Sequence, residues 1–574
     1  MNEVWKIIDT LRGSQRPHEL PPLLLMEAAH KLNNLPEVST GSLWRWDQFS
    51  KDPSYPQLQA AAQTLISLPA RERLSALSEV IEKCTRGWHG MSMWLSSAAT
   101  QQISELVKGS SSLRCSFGLS LHPALYAGVE ARDAGQDVQI SFVDEQEELC
   151  DIAKLAAAVL EVNLSVFCSQ PFHRADGVQA DAEISLPPFG GRMGDTKMLP
   201  HRTTAWLGAA HPGRVTAEPL AIADVLAHAP QARAVLCLSA GALFRTVGVE
   251  IVAREELVRT RRLRAVFDVP QSMIFQDTPI TTAFLIITPE GEKSDTVRFL
   301  DLSDEHFAVR SSRGRSEIKP DASWVDALTA SASNVGFARD VSVAEIEEQA
   351  HILTASRYLS QTAARVAAFN ERYEVRPLSD LVELIRPVAL PRVEDGDYLV
   401  REAAPADVGE DGLLAQPNKK TKVDRGGLRK ALNQQVEPGD VVVSVKGTIG
   451  RVGLVPAGAP DRDTDAFWTA GQSMMILRPK KAISSEMLYE YLSSDMMREH
   501  LSSIAGGAAI QTINMKDLKS LPIPVPSDDE QASIRMEFSK RMEAFEALRK
   551  MREAIEDMRR GSWPHQDLAN GVNA

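Results

Sequence analysis

Between about residue 113 and residue 290 the chain alternates short apolar runs with amphipathic segments, and this alternation limits the possible folds more than any other feature. The amphipathic segments Asp144–Val162 and Val247–Thr260 have the periodicity of helices. The apolar runs have the length and composition of buried strands: Val138–Val143, Ala182–Leu186, Ala234–Leu238, Leu263–Val269 and Ala283–Thr288. Strands that alternate with helices form a sheet covered on both faces. The sequence therefore predicts a doubly wound α/β fold with a partly parallel sheet.

Changes of pattern divide the chain into five predicted segments. Residues 1–110 repeat apolar side chains at helical spacing and predict a helical domain, and residues 111–370 carry the α/β alternation. Residues 371–526 are β-rich, residues 527–562 predict one long spacer helix, and residues 563–574 form a tail. The apolar positions of the long helix step by three or four, which is typical of a coiled-coil or hairpin seam: Ile534, Phe538, Met542, Phe545, Leu548, Met551 and Ile555.

Composition excludes several classes of protein. The 574 residues are 44% hydrophobic and 24% charged, which is ordinary for a globular protein, and no apolar run is long enough for a membrane span. The N-terminal residues lack the apolar core of a signal peptide, and the five cysteines include no CxxC pair. We expect a cytoplasmic protein without a membrane partner, disulfide framework or zinc site. Because the net charge is −13, contacts with nucleic acid must come from local patches or from a partner subunit.

A Pro-Pro-aromatic run follows one predicted strand. Leu186, Pro187, Pro188 and Phe189 come directly after Ala182–Ser185. The run resembles the (Asn/Asp)-Pro-Pro-(Phe/Tyr) motif of amino-methylating DNA methyltransferases, in which the prolines stiffen the turn and the aromatic ring stacks on a flipped-out base. The alternative is an ordinary strand-ending turn with an apolar plug.

The first position of the motif carries the chemistry of methyl transfer. An exocyclic amine is a poor nucleophile, and an oxygen acceptor must meet the charge that develops on it during the reaction. The amide or carboxylate of the motif supplies that oxygen, whereas Leu186 offers no acceptor. The resemblance therefore implies a degenerate catalytic motif.

Two longer stretches resemble the subunits of type I restriction–modification systems. Residues 234–289, with the later run from Val341 to Leu359, resemble the second half of the methylation subunit, an N6-adenine DNA methyltransferase. Residues 439–455 and 505–534 resemble one target-recognition domain of the specificity subunit and the spacer helix that follows it. The resemblance implies a fusion of the two subunits with one recognition domain.

The resemblance also locates a cofactor loop, after the first strand of the α/β region. The family has a glycine-rich turn there, whose backbone N–H groups approach S-adenosylmethionine, but in the run from Cys115 to Pro123 only Gly118 remains. Asp144 and Glu145 end the second strand, where an acidic residue would bind ribose hydroxyls; alternatively they are helix N-terminal charges. If the chain binds a cofactor it is S-adenosylmethionine, and the missing glycines argue against binding. With Leu186, they predict a pseudo-enzyme.

Basic residues indicate a DNA-binding surface in the recognition domain. A loop there is predicted to contact duplex DNA, mostly through phosphates, with these residues: Lys419, Lys420, Lys422, Arg425, Arg429 and Lys430. Lys446, Gln511 and Thr512 are weaker candidates, and the alternative for the basic cluster is a solvated loop. We find no P-loop, nuclease cluster or metal-ligand spacing, and predict no metal site.

Three functions remain open. The leading interpretation is a sequence-specific DNA-binding protein on a degenerate methyltransferase scaffold, from a restriction or phage-defence system. It would form a homodimer through the C-terminal helix, read a two-part site, and position a nuclease, motor or methyltransferase partner subunit. The alternatives are a working N6-adenine methyltransferase, with an acceptor supplied from elsewhere (Ser185 is adjacent), and a protein-assembly scaffold.

Overall fold

The chain divides into two compact units. The computed structural model describes residues 3–13, 15–85, 94–174, 177, 179–193, 199–208, 215–228, 230–245, 248–275, 280–311, 315–330, 336–360, 362–459, 468–506 and 511–561. The first unit runs to Leu359 and the second begins at Ser360. The predicted tail, residues 563–574, lies outside the described residues.

The first unit begins with helices, which confirms the prediction for this region. They are α1 (Glu3–Asp9), α2 (Leu20–Lys31), α3 (Thr40–Phe49), α4 (Tyr55–Ile66), α5 (Ala70–Thr85) and α6 (Ser97–Leu106). Side-chain caps start two of them: the hydroxyl of Ser39 accepts from Ser42 N before α3, and that of Ser96 accepts from Ala99 N before α6.

A mixed sheet follows, with helices between its strands. The elements are β1 (Ser112–Ser116), α7 (Leu121–Asp133), β2 (Gln139–Asp144), α8 (Glu147–Leu160), β3 (Leu164–Cys168), β4 (Ala182–Ser185), α9 (His201–Thr204), α10 (Ala217–His228), β5 (Arg233–Ser239), α11 (Ala240–Phe244), α12 (Val249–Arg259), β6 (Leu263–Val269), β7 (Thr282–Ile287), β8 (Thr296–Asp301), β9 (Ala308–Arg310), β10 (Ser316–Ile318), α13 (Trp324–Thr329), β11 (Ala338–Ser342), α14 (Val343–Glu348) and α15 (Ala355–Leu359). Their order in the sheet is β11-β8-β6-β7-β5-β4-β1-β2-β3. Strands β1 to β5 are parallel, whereas β7 runs antiparallel to both β5 and β6. The predicted doubly wound, partly parallel sheet is confirmed.

Each face of the sheet has its own core. On β5, Val235 and Cys237 belong to the first core, which also contains side chains of α2, α7 and α8. Leu236 and Leu238 belong to the second core, with side chains of α10 and α12. This alternation is the period of two of a strand, and burial on both faces explains why the strand sequences are almost wholly apolar.

The second unit is β-rich, as predicted. Its elements are α16 (Thr362–Asn370), β12 (Glu374–Pro377), α17 (Leu378–Leu381), β13 (Val382–Ile385), β14 (Tyr398–Ala403), β15 (Lys419–Val423), α18 (Arg425–Leu432), β16 (Val441–Ser444), β17 (Val452–Leu454), β18 (Trp468–Ala470), β19 (Met474–Pro479), α19 (Ser485–Ser493), α20 (Asp495–Ile504), β20 (Ala505–Gly506), β21 (Thr512–Ile513), α21 (Met515–Lys519), β22 (Pro522–Val525) and α22 (Asp528–Gly561). The larger sheets have the orders β13-β19-β16-β17 and β15-β14-β18. Asn514 caps α21 by accepting from Lys516 N.

The long helix α22 is packed against the second unit at its start, and its apolar side chains are exposed towards its end. Gln531 accepts from Ser484 N at 2.9 Å and donates to Pro526 O at 3.1 Å, and Phe538 is 8% exposed in the core of the unit. Further along, apolar side chains on one side of the helix are 42–69% exposed: Leu548, Met551, Ile555 and Met558. Neither α22 nor any other helix in the described part of the chain combines the length and apolar character that a membrane span requires.

Asp268 at the end of β6 gives the first unit a dependence on pH. Its Oδ2 accepts from Ala355 N at 2.7 Å, but burial raises its pKa from 3.8 to about 7. The unfolded state therefore loses this proton at lower pH than the folded state does. Through this group, the free energy of unfolding falls as the pH rises from 3.8 to about 7 and is constant above that value.

We predict that Asp268→Asn, which cannot ionise, removes this penalty. The free energy of unfolding of the variant, relative to that of the unmodified chain, should therefore rise with pH. Linkage allows this gain to reach about 4 kcal/mol between about pH 4 and pH 8. Denaturant titrations across that range measure the difference, with the exposed Glu348→Gln as the control. A difference that does not change with pH would contradict the assignment.

Candidate functional site

Leu186 fills the end of β4 with an apolar side chain. It is fully buried and belongs to the first core. Its N–H donates to the hydroxyl of Ser120 at 3.2 Å, and that hydroxyl donates to Ser116 O at 2.5 Å. Ser120 therefore bridges the carboxyl ends of β1 and β4. Pro187 is buried and Pro188 is exposed.

Phe189 and the turn after it are fixed by a buried carboxylate. The Phe189 ring is half-buried and meets Phe275 edge-on, with 5.8 Å between centroids. Gly190 has φ +64°, and its N–H donates to Oε2 of Glu218 at 3.0 Å. Oε1 of the same carboxylate accepts from Ser239 N at 2.7 Å, and Glu218 is only 2% exposed. Glu218 thus joins this turn to the end of β5.

In the loop after β1, Phe117 has the positive φ that usually requires a glycine. Phe117 has φ +71°, which is unusual for a bulky residue. Its ring is buried in the second core, 5.2 Å from the centroid of Phe172. Its N–H donates to Val143 O at 2.9 Å, and its carbonyl accepts from Ser120 N at 2.8 Å. The loop is closed by its own hydrogen bonds.

Of the two acidic residues after β2, Asp144 is turned inward. It is 3% exposed and accepts from the backbone N–H groups of Gln146, Gly118 and Glu145. Burial raises the pKa of Asp144 to about 6 in spite of these bonds. The Glu145 side chain is exposed. The structure brings Asp144 and Gly118 together, and the Asp144 carboxylate holds the loop itself.

A buried ionic network lies beneath the loop. Arg114 on β1 is fully buried and donates to Glu183 on β4 at 3.1 Å, its partner in the strand register. Arg174 donates to Glu183 at 2.9 Å and to Asp224 of α10 at 2.5 Å. Such a network is costly to break because any member left alone is a buried charge. It fixes β1 and β4 side by side under the Ser120 bridge.

The prediction that the basic residues of the second unit lie in a loop is wrong. Its residues form strand β15 and helix α18, because Thr421 and Val423 alternate with the lysines and pack inward. Asp424 is the cap of α18 and accepts from Gly427 N at 2.7 Å. All six cations are exposed, and Lys419 pairs with Glu402 at 3.0 Å.

These cations lie on both sides of one sheet edge. Lys420 and Lys422 point away from α18, which packs on the opposite face through Leu428 and Ala431. Arg425 and Arg429 are one helical turn apart on α18. Among the described residues, Lys420, Lys422, Arg425, Arg429 and Lys430 form no ion pair. The edge strand β15 and the helix α18 together form a positively charged ridge.

The three weaker candidates are brought together. Lys446 forms an isolated antiparallel bridge with Thr512, and Gly447 N donates to Gln511 O at 2.9 Å. The side chains of Lys446 and Gln511 are exposed and that of Thr512 is half-buried. Lys446 is far from Gln511 and Thr512 in the sequence, and backbone pairing brings the three residues together.

Comparison with known proteins follows the division of the chain into two units. The family model described as N-6 DNA Methylase matches residues 149–366, and the type I restriction modification DNA specificity domain matches residues 370–556. The chain joins a type I methylase region to a specificity domain.

Curated relatives match each region separately. The EcoBI specificity subunit of Escherichia coli is 30% identical over 122 residues, covering 20% of this chain and 24% of that subunit. The MpnII methylase subunit of Mycoplasma pneumoniae is 28% identical over 152 residues, 26% of each chain. The chain thus spans only about a quarter of the length of these two relatives. A solved type I methyltransferase subunit from Streptococcus thermophilus aligns over 62% of this chain and 98% of its own, with 14% identity and a TM-score of 0.43.

N-6 DNA methylases in general take their methyl group from S-adenosylmethionine. The residues at this edge do not fit that cofactor. The N–H groups of Phe117, Gly118 and Ser120 are already bonded within the chain, and so is the Asp144 carboxylate. The buried Phe117 ring replaces the glycine that close approach of a ligand to the backbone would require.

Ser120, Glu218 and the Phe117 conformation were missed by the sequence analysis. A signal existed for Glu218, because a charged residue within the apolar run of α10 (Ala217–His228) predicts a buried, bonded carboxylate. Nothing in the sequence indicates the Ser120 bridge, which depends on two strands that are distant in the sequence.

We predict that Leu186→Asn destabilises the first unit by about 3 kcal/mol, because it removes buried apolar contacts and buries an amide. Leu186→Met, which preserves volume and polarity, is the matched control and is expected to cost under about 1.5 kcal/mol. Denaturant unfolding measures both. Equal stability of the Asn and Met variants would mean that the position is not an apolar plug.

Proposed function

We propose that this chain is a DNA-recognition component of a restriction–modification system and that its methylase region is no longer catalytic. The observation that carries the proposal is the closed carboxyl edge, where Ser120 bonds both β1 and β4 and Leu186 fills the end of β4. In open α/β sheets, this edge is where ligands bind. A partner subunit would then supply methylation, motor or nuclease activity.

The chemistry of amine methylation supports the absence of catalysis. The transferred methyl group needs an adenine N6 held by an oxygen acceptor, and Leu186 has none. Ser185 is the neighbouring hydroxyl, but it is 3% exposed, and along the strand it alternates with Ile184 of the first core, so it points to the opposite face. This favours recognition over the alternative of an active N6-adenine methyltransferase.

The charged ridge supports duplex DNA as the ligand. Unpaired lysines and arginines on β15 and α18 would neutralise phosphates on either side of the sheet edge. Lys446 and Gln511 form a separate exposed group that could read base edges, since both side chains have the donors for it. The chain as a whole is acidic, so binding depends on these local groups.

Cofactor binding tests the catalytic part of the proposal. We expect no calorimetric signal for S-adenosylmethionine and no transfer of labelled methyl groups to mixed-sequence duplex DNA by the purified chain. Because the loop is closed as well, Leu186→Asn alone is expected to restore neither. Methyl transfer to adenine by the unmodified chain would establish the active-enzyme alternative instead.

DNA binding tests the recognition part. Neutralising the ridge with Lys420→Gln, Lys422→Gln, Arg425→Gln, Arg429→Gln and Lys430→Gln is expected to weaken duplex binding. It should also make the log–log slope of affinity against salt shallower by about 0.9 for each phosphate that the variant no longer neutralises. Fluorescence anisotropy over a salt series measures both quantities. The control replaces three exposed cations of α22 by glutamine, namely Lys540, Arg549 and Lys550. An unmodified chain that binds no duplex would leave the scaffold alternative.

We also propose a homodimer through α22. Leu548, Met551, Ile555 and Met558 follow the 3-4-3 spacing of a coiled coil and are exposed in the isolated chain. Pairing this seam with a second copy would bury it and place two recognition domains about a two-fold axis.

The oligomeric state tests this interface. Met551→Lys with Ile555→Lys is expected to convert a dimer to a monomer, because both lysines would lie in the paired seam. Glu553→Lys with Glu556→Lys introduces the same residues on the other side of the helix and should leave the dimer intact. Light scattering at several concentrations distinguishes the two, and a strictly monomeric unmodified chain would rule out the interface.

A further inference from the structure

A cavity of about 300 Å³ lies between α2, α3 and α8 of the first unit. None of the residues that line it belongs to the Pro-Pro-Phe turn. Its size is at the lower end of the range for small-molecule pockets. The residues around it divide into an apolar floor, an aromatic rim and a set of carboxylates.

The floor and rim suit a ligand with an apolar body. Leu23, Met26 and Phe49 are buried and line the floor. At the rim Trp44 is 64% exposed, which is unusual for so large an apolar side chain on a helix. The neighbouring Trp46 is held in place because its Nε1 donates to the buried Glu27 carboxylate at 3.2 Å.

The charges around the cavity favour a cation. Glu19, Asp52, Glu148 and Asp151 line it, against the single cation Arg45. Asp151 is used internally, since it accepts from the hydroxyls of Ser39 and Ser42, and Glu148 pairs with Arg45. Among the described residues Glu19 makes no hydrogen bond through its carboxylate, and its charge acts on Arg45 across the cavity. With four carboxylates against one guanidinium, an incoming cation would meet a net negative lining that also carries an exposed indole.

We propose that this cavity binds a small organic cation, an ammonium or guanidinium carried on an aliphatic or aromatic body. The body would displace water from the floor, and the charged end would lie between Trp44 and the Glu19 carboxylate. Cation–π attraction and charge pairing both act on such a group, and each is stronger where water is partly excluded.

The position of the cavity gives the ligand a structural consequence. Glu148 and Asp151 come from α8, the helix that begins three residues after Asp144 at the carboxyl edge of the sheet. The Arg45–Glu148 ion pair already links α3 to α8. A bound cation would hold α2 and α3 against α8, the helix next to the carboxyl edge of the sheet.

Calorimetry with three probes of one shape tests the proposal on the full chain. 4-Phenylbutylammonium is expected to bind, the neutral 4-phenylbutanol about tenfold more weakly, and the anionic 4-phenylbutyrate not measurably. Trp44→Ala should weaken binding of the ammonium about fivefold and Glu19→Gln about threefold. Glu147→Gln, an exposed carboxylate of α8 outside the cavity, is the control and should not change it.

Each result has a defined meaning. Equal affinity for the ammonium and the alcohol would overturn the selectivity for charge, and no binding of the ammonium to a chain with a normal melting curve would overturn the site. Trp44→Ala and Glu19→Gln alter exposed or half-buried side chains, so both variants should fold. Unchanged affinity in both would place the ligand elsewhere and overturn the assignment.

Discussion

The hydroxyl of Ser120 joins the carboxyl ends of β1 and β4, and the closed carboxyl edge of the methylase region depends on this bridge. In a doubly wound sheet, the gap between these strand ends is where a ligand enters. Here the hydroxyl donates to Ser116 O and accepts from Leu186 N. Beneath it, Arg114 and Glu183 join the same two strands through a buried ion pair. The same two strands are therefore joined at their carboxyl ends by a hydroxyl and within their length by an ion pair.

The two units consequently contribute different chemistry. The first unit keeps a methylase fold in which the buried carboxylates of Asp144 and Glu218 at the sheet edge accept hydrogen bonds from backbone N–H groups of the chain itself. In the second unit, five exposed cations of β15 and α18 form no ion pair with any residue that the structure describes, and only Lys419 is paired, with Glu402. Satisfied polar groups stabilise a fold, whereas unpaired surface cations remain available to a polyanion. This contrast supports the proposal that the second unit recognises DNA.

The strands and the fold class could be predicted because burial on both faces of a parallel sheet leaves a strong apolar signal, as in Ala234–Leu238. The cluster from Lys419 to Lys430 was predicted as a loop, because charge dominates its composition. Thr421, Val423 and the capping Asp424 determine its strand and helix instead. The meeting of Lys446 with Gln511 and Thr512 could not be predicted, since it arises from pairing between distant segments.

The sequence by itself determined the order of the units, the partly parallel sheet, the substitution of Leu186 in the Pro-Pro-Phe turn and the long apolar seam of α22. These features are local or periodic, and local patterns are written directly into the chain. Only the tertiary structure decided that the loop after β1 is closed, that Phe117 adopts a positive φ, and that the seam is buried at Phe538 but exposed at Met551. Those outcomes depend on which distant groups are in reach of one another, and hydrogen bonds and packing act only over a few ångströms.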